Sequence, residues 1–470
     1  MRDAALHVHT LELWLLALLL CFYCLSGPGP MDVAGPLALA TILFGGAAAR
    51  VLATPLALWT GLFWLRVSAG VYFGLGTVAH LLMNETTLTE LHAFHAPEPD
   101  TIALFNAVTT ASILVLLATV RFAATFWPLE ASPASGEGEL LPAALLFAAL
   151  GYGVKLLVIL PQEAGAFGDT VVPGALTSLS YCAPAGLFLL ALWAIRNKPA
   201  LLPLVLALGI ADAALGLVRL NKSEALLPLL MLALAFLHRR ASLPRLALAA
   251  LMLAGGFTLI ERTIGEARDT LLASLGPETA AGLADRLDAL AHASLRLDEA
   301  ADGDGYQGTL VRISYVNAAA PALAFHEAGQ PGASLLFIPW VAIPRVLAPE
   351  KPVFSMGRDY TVLLGGPETS STWMGYFAES YWNLGWLGLP LVMVPLGLAF
   401  FLSARYAVWA VSEERWLHFP AVFLGIWMGI RTDGVLAGDV AASLLLAALA
   451  GLAAWLATPF FPSRRPSPAR

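Results

Sequence analysis

The sequence is poor in charge and in cysteine, and each shortage excludes a class of protein. Only 13% of the 470 residues are charged, whereas 58% are hydrophobic. A soluble core cannot bury so much apolar surface, so a soluble globular fold is excluded. The formal net charge of -7 leaves no basic face for phosphate backbones, which argues against a nucleic-acid partner. Cys21, Cys24 and Cys182 all lie in apolar runs, where we expect lipid-facing or packing roles.

Long apolar runs recur along the whole chain, and the mean hydropathy is +0.74. Runs near twenty residues can cross a bilayer, so the sequence predicts an all-α polytopic membrane protein. We expect about 12 transmembrane helices, at 6–26, 33–49, 54–83, 101–121, 140–160, 173–195, 199–218, 224–238, 243–261, 381–403, 418–434 and 438–459.

These runs divide the chain into three predicted parts: an N-terminal bundle of about nine spans over 1–261, a large loop over 262–380 and about three C-terminal spans over 381–470. Lys and Arg in short loops favour the cytoplasmic side, which puts both termini there and the large loop on the opposite side. Leucines at helical spacing over 266–297 predict an amphipathic helix pair. The stretch 335–347 predicts a re-entrant or interfacial helix.

Seven cations are predicted on the outer side. They would line a cationic cavity for a pyrophosphate headgroup, since a guanidinium group can donate two parallel hydrogen bonds to phosphate oxygens. The seven are Arg219, Lys222, Arg312, Arg345, Lys351, Arg358 and Arg431. Three further charges, Arg66, Lys155 and Asp212, lie deep inside predicted spans, where ionisable residues are costly and often functional.

Acidic and aromatic side chains accompany the cations on the outer side. The candidates for a base that deprotonates an attacking hydroxyl are Glu379, Asp433, Asp359, Glu368, His326 and Glu327. The aromatic residues suit either sugar stacking or an interfacial belt; they are Tyr360, Trp373, Tyr376, Tyr381, Trp382 and Trp386.

Four segments resemble blocks of the Wzy-type oligosaccharide repeat-unit polymerases. The pattern is an Arg-containing segment, an "IPR…P.KP" block and a "GE.Y.N.G..G" block before a span. The similar segments here are 310–314 (LVRIS), 343–352 (IPRVLAPEKP) and 378–388 (AESYWNLGWLG), with the turn 219–224 (RLNKSE) before a middle span. Ala348 and Ala378 depart from that pattern, and neither change removes a charge.

The resemblance implies a membrane-embedded glycosyltransferase of the GT-C kind, inverting and metal-independent, with no cofactor. Such an enzyme lies in the bacterial inner membrane and transfers a glycan from undecaprenyl pyrophosphate to another lipid-linked repeat unit at the periplasmic face. Its implied partners are the bilayer, a chain-length regulator and a flippase. The implied catalytic residues are Glu379, Arg345 and Asp433, and the other outer cations with Tyr381 would bind substrate.

Two other functions fit the same layout. An O-antigen ligase or a related lipid-linked glycan transferase differs only in its acceptor, which no motif specifies. A lipid-linked oligosaccharide flippase or another transporter would have inverted repeats and broken helices at the midplane. The sequence shows no internal repeat, and its charges concentrate in one late loop.

Overall fold

The described part of the chain is helical throughout, with no strand in it. The structure is a computed structural model. It describes residues 8–26, 31–91, 97–127, 140–166, 174–238, 241–275, 282–295, 307–343, 347–353, 355–368 and 371–460.

The helices of the N-terminal two-thirds are mostly long and apolar. They are α1 (Thr10–Ser26), α2 (Met31–Ala53), α3 (Gly61–Leu81), α4 (Glu85–Leu91), α5 (Pro99–Phe126), α6 (Leu140–Glu163), α7 (Leu176–Asn197), α8 (Pro199–Val218), α9 (Lys222–Leu237) and α10 (Leu243–Leu275). A short 3₁₀ turn, Pro55–Trp59, precedes α3.

Shorter helices follow before the chain returns to long apolar ones. They are α11 (Leu283–Leu295), α12 (Gln307–Ile313), α13 (Val316–Glu327), α14 (Ile338–Val341), α15 (Met356–Leu363), α16 (Tyr376–Leu384), α17 (Leu389–Ser412), α18 (Trp416–Ile430) and α19 (Leu436–Phe460).

Nine of the described helices are long and apolar enough to cross a membrane. The chain is therefore a helical multi-pass membrane protein, as its composition predicts. Helices α1 and α18 are apolar but shorter, and α9 has only 16 residues. A helix lies at each of the twelve predicted positions, while a count of twelve crossings stays a prediction.

Helix α10 differs from its prediction. It runs unbroken through 33 residues, about 50 Å at 1.5 Å per residue, which exceeds a hydrocarbon core of about 30 Å. The expected break at 261 is absent, and the first of the two predicted amphipathic helices is the continuation of α10. The second is α11. The predicted part boundary at 261 thus falls inside a helix.

The chain forms two compact units. The first comprises 1–131, 310–409 and 421–451; the second comprises 132–309, 410–420 and 452–470. In the first unit, one apolar core joins α1, α2, α3, α5, α13, α16 and α17. In the second, a smaller apolar cluster joins α9, α10 and α11.

Helix α16 is delimited by two glycines in the left-handed region of backbone space. Gly375 has φ 77° and Gly385 has φ 57°, conformations that side chains rarely allow. A Cβ at Gly375 would lie 2.9 Å from the carbonyl oxygen of Thr432. This close approach brings the start of α16 against the segment between α18 and α19. The predicted span at 381–403 is therefore interrupted at Gly385, and α17 begins at Leu389.

Candidate functional site

The carboxylate of Glu379, on α16 of the first unit, is fully buried. It accepts three hydrogen bonds: from Ser334 Oγ at 2.7 Å, from Trp373 Nε1 at 3.1 Å and from the backbone N–H of Leu436 at 2.8 Å. Asn383, one turn further along α16, donates to Ser334 Oγ at 2.9 Å. Buried polar groups need such partners. Glu379 thereby joins three segments that are distant in sequence.

The hydrogen bond from Leu436 has a second consequence, because Leu436 is the first residue of α19. The first N–H groups of a helix lack partners within it, and its N-terminus favours negative charge. Asp439 also contributes there, since its Oδ2 accepts from the N–H of Val435 at 2.8 Å. Glu379 and Asp439 together cap this helix and orient the segment before it.

That segment carries an ionic cluster of Arg431, Asp433 and Asp439. Arg431 Nε lies 3.3 Å from Asp433 Oδ1, and its Nη2 lies 3.6 Å from Asp439 Oδ1. The hydroxyl of Tyr315 donates to Asp433 Oδ2 at 2.8 Å. The guanidinium group lies 5.7 Å from the centre of the Trp427 ring. Arg431 is thus held between two acids and against one aromatic face.

The ion pair of Arg431 and Asp433 is close but not well aligned. Arg431 Nε and Asp433 Oδ1 are both buried, and neither makes a hydrogen bond within the described part of the chain. Charge attraction holds them together, while one donor and one acceptor remain unused. Both atoms are shielded from solvent, so a ligand in contact with Arg431 would meet the exposed part of its side chain, which is 32% exposed, and not its Nε.

The cluster opens into a cavity of about 330 Å³. Arg431, Asp433 and Tyr315 contribute its polar wall, and Trp373 contributes its aromatic wall. Because Trp373 also donates to Glu379, the buried carboxylate lies behind the wall and not in the cavity itself.

A second cavity of about 390 Å³ adjoins the first, sharing Tyr315, Ser371 and Trp373 with it. Arg312 and Asn317 also line it. The amide Nδ2 and Oδ1 of Asn317 are buried without a hydrogen-bond partner in the described residues. The same is true of Ser314 Oγ, on a residue only 8% exposed. These three atoms have almost no accessible surface, so the cavity itself is lined by the Arg312 cation, by Asn317 and by the Trp373 ring.

Burial changes the proton affinities of the acids at this site. Burial raises the pKa of Glu379 to about 7, against the lowering effect of its three hydrogen-bond donors. Burial likewise raises the pKa of Asp433, although Arg431 and Tyr315 oppose the rise. The pKa of Tyr315 is raised well above its ordinary value by burial and by the charge of Asp433. Perturbed acids beside a cavity are typical of catalytic sites.

The predicted site residues of the first unit do not all meet. Arg312, Arg431 and Asp433 line the two cavities, whereas Glu379 lies behind them. Tyr381 is buried on α16 and donates to Glu327 Oε1 at 2.7 Å.

Two further described cations of the predicted site, Lys351 and Arg358, line neither of these two cavities. Lys351 Nζ donates to the carbonyl oxygen of Ile343 at 2.9 Å. The side chain of Arg358 is 55% exposed and lies 3.7 Å from Asp359. Arg345 lies outside the described residues.

Arg219 and Lys222 belong to the second unit, where acids already pair with them. Arg219 forms ion pairs with Glu163 and Glu224, and Lys222 Nζ lies 2.6 Å from Glu261 Oε2. These contacts stabilise the turn between α8 and α9. A role in substrate binding for either cation stays a prediction.

Several residues of the site carried no sequence signal. Tyr315, Ser334 and Asn317 are uncharged and common in loops, so only the fold reveals them. Asp439 did carry a signal, because Arg431, Asp433 and Asp439 place three charges within nine residues of an apolar tract.

Comparison with known proteins adds no family. No protein-family model, no curated protein and no solved structure matches the chain. The functional inference therefore rests on the geometry of the site and on the sequence blocks.

Proposed function

We propose that the protein is a membrane glycosyltransferase that polymerises undecaprenyl-pyrophosphate-linked oligosaccharide repeat units. It would act at the periplasmic face of a bacterial inner membrane and build O-antigen, capsule or exopolysaccharide. One observation carries the proposal: a cavity lined by Arg431 and Asp433 adjoins a second cavity lined by Arg312 and Asn317, and the two share the Trp373 ring. Such a pair suits a phosphorylated donor beside a sugar.

The donor pyrophosphate lies against Arg431 in this proposal. The guanidinium group is fixed by two acids, and the Arg431 side chain remains 32% exposed toward the cavity that it lines. It stabilises the negative charge that develops on the leaving pyrophosphate. Arg312 in the adjoining cavity adds a second cation. For Arg345 and Lys351, a role in donor binding rests on the resemblance of the "IPR…P.KP" block alone, since Arg345 lies outside the described residues and Lys351 lines neither cavity.

Asp433 is the proposed general base. Asp433 lines the cavity with a side chain that is 15% exposed, while Oδ1 is buried against Arg431 and Tyr315 donates to Oδ2. It accepts the proton of the acceptor hydroxyl, whose oxygen then bonds to the anomeric carbon of the donor. The bond from that carbon to the pyrophosphate oxygen breaks, and undecaprenyl pyrophosphate leaves. Attack from the opposite face inverts the anomeric centre.

Glu379 takes a positioning role in this mechanism and not that of the base. It is fully buried and bonded to three donors, so a substrate hydroxyl has no access to it. Its contact with Leu436 fixes the segment that carries Arg431 and Asp433. This revises the sequence prediction, in which Glu379 and Asp433 were equal candidates for the base.

The test is a gene deletion in the host, complemented with Arg431→Ala or Asp433→Asn, with lipid-linked and surface glycans analysed by gel and mass spectrometry. We expect glycans of one repeat unit in the deletion strain and in both variants at normal protein levels. Arg405→Gln is the control, because Arg405 donates to the carbonyl oxygen of Trp127, away from both cavities; it should restore long polymer.

Two results would contradict the proposal. Full-length polymer retained on its lipid carrier would identify a ligase instead. Unchanged lipid-linked and surface glycans in the deletion strain would exclude both transferases and leave a transporter.

A further inference from the structure

A second charged cluster lies in the first unit, at the end where α1 begins and α2 ends. Arg66, on α3, forms a two-pronged ion pair with Glu12 of α1: Nε to Oε1 at 2.7 Å and Nη2 to Oε2 at 3.1 Å. Their side chains are 3% and 4% exposed. Arg66 Nη1 donates to the carbonyl oxygen of Leu62 at 3.1 Å. Both members of this pair are therefore satisfied.

A third charge in the cluster has no such partner. Arg50, in the last turn of α2, is only 4% exposed. Its Nε and Nη2 are buried without a hydrogen-bond partner among the described residues. It is within electrostatic range of Arg66, which repels it, and of Glu12, which attracts it. The charge of one carboxylate thus acts on two guanidinium groups, and only Arg66 forms an ion pair with it.

The local sequence brings these charges together. Gly46 lies one turn before Arg50 on α2, and a Cβ there would lie 2.7 Å from Glu12 Oε1 and 3.3 Å from Arg66 Nε. Only a glycine lets the ion pair approach the α2 backbone so closely. The α2 backbone one turn before Arg50 therefore lies against a carboxylate that Arg66 already occupies through both oxygens.

An uncompensated buried cation is costly, and the cost is greater next to a bilayer. An anion with several acceptor oxygens would lower this cost, because a guanidinium group binds phosphate through two parallel hydrogen bonds. Exposed apolar side chains occur close in sequence to two of these charges: Trp14, two residues after Glu12, is 65% exposed, and Leu52, two residues after Arg50, is 49% exposed. Tryptophan is enriched at the headgroup level of membranes.

We propose that Arg50, supported by the Glu12–Arg66 pair, binds a phosphate group, with the phosphodiester of an anionic phospholipid or free phosphate as its source. This site goes beyond the proposed glycosyltransferase and does not depend on it. The group completes the cluster as two cations and two anions.

The test uses the full-length purified protein and two probes. In the lipid arm, native mass spectrometry measures retained phosphatidylglycerol, with diacylglycerol, which has no phosphate, as the comparison. In the soluble arm, thermal unfolding is followed in maltoside detergent micelles, which contain no phosphate, with and without sodium phosphate. We expect Arg50→Gln to weaken phosphate or phosphatidylglycerol binding about tenfold, the effect of losing one charge-assisted hydrogen bond.

Two variants separate binding from folding. Arg50→Lys keeps the charge and should retain part of the binding, while Arg405→Gln removes a cation of the same unit and should bind as the native protein does. A response only to phosphatidylglycerol assigns the site to a lipid; a response only to sodium phosphate assigns it to the soluble anion. Equal binding by Arg50→Gln and the native protein in both arms, or no binding in either, would overturn the proposal.

Discussion

The carboxylate of Glu379 accepts a hydrogen bond from the backbone N–H of Leu436 at 2.8 Å, across 57 positions of sequence. This contact connects α16 to the first turn of α19. Arg431 and Asp433 lie just before that turn, so their position depends on a residue that does not line their cavity. A mutation at Glu379 should consequently change the ionic cluster without touching it.

Glu379→Gln should both destabilise the protein and reduce polymer formation. A glutamine has one acceptor oxygen and one NH₂ group, so it can no longer accept from Ser334, Trp373 and Leu436 together. Leaving a buried donor unpaired costs about 1–3 kcal/mol. Thermal unfolding of the purified protein measures the loss. Glu350→Gln, at an exposed acid, is the matched control, and equal unfolding temperatures for the two variants would refute the role of Glu379.

The same residue predicts a pH dependence of stability. The pKa of Glu379 is raised to about 7 from an ordinary value of 4.5, so between these values the folded protein binds a proton that the unfolded chain releases. Stability contributed by this group is therefore present below pH 4.5 and is lost as the pH rises to about 7. Unfolding temperatures across this range should decline in the native protein and decline less in Glu379→Gln. Parallel curves would contradict the assignment.

Arg431→Lys should lower kcat more than a charge-conserving change normally does. Lysine cannot contact Asp433 and Asp439 in one plane or lie flat against Trp427. We expect a fall of roughly 100-fold, the scale found for loss of one group that stabilises transition-state charge. Turnover of purified lipid-linked repeat units measures it. Arg358→Lys, at an exposed cation that lines neither cavity, is the comparison, and equal rates in the two variants would remove Arg431 from the mechanism.

The adjoining cavity predicts a different kinetic effect. Asn317→Ala shortens a side chain that lines this cavity and that, in the proposed function, contacts the sugar in both the ground and transition states. KM for the acceptor should then rise about tenfold with kcat nearly unchanged. Asn197→Ala, at an exposed amide, is the control. A loss of kcat at constant KM would place Asn317 in the chemistry instead of in acceptor binding.

The positions of the helices could be predicted because hydropathy alone determines where a chain can enter a bilayer. The length of α10 could not. Arg262 and Glu266 end the apolar run, but charged residues of this kind are good helix formers and do not end a helix. The apolar run therefore ends near Arg262, whereas the helix α10 continues to Leu275.

The site could be predicted only in part, for a related reason. Charges in an apolar chain are conspicuous, so Arg431, Asp433 and Glu379 all stood out in the sequence. Their different roles depend on which of them reaches the cavity, and that follows from contacts between distant segments. Asn317 and Tyr315 are uncharged, so the sequence did not mark them as site residues. Asn317 is recognised only because its amide is buried without a partner in the described residues, and Tyr315 only because it bonds to Asp433.

The buried pair of Lys155 and Asp212 in the second unit provides a test that is independent of catalysis. The two side chains, predicted separately as deep charges, form an ion pair with side-chain exposures of 11% and 0%. Tyr152 donates to Asp212 Oδ2 at 3.3 Å.

Asp212→Asn leaves the ammonium group of Lys155 without an opposite charge, which should lower the free energy of unfolding by about 3–5 kcal/mol. Replacing both residues, as Lys155→Met with Asp212→Leu, should restore most of the stability, because two apolar side chains avoid the cost of burying charge. Thermal unfolding of the two single variants and the double variant forms a mutant cycle. If the double variant is as unstable as the sum of the single ones, the two residues are not coupled, and the charges serve separate functions.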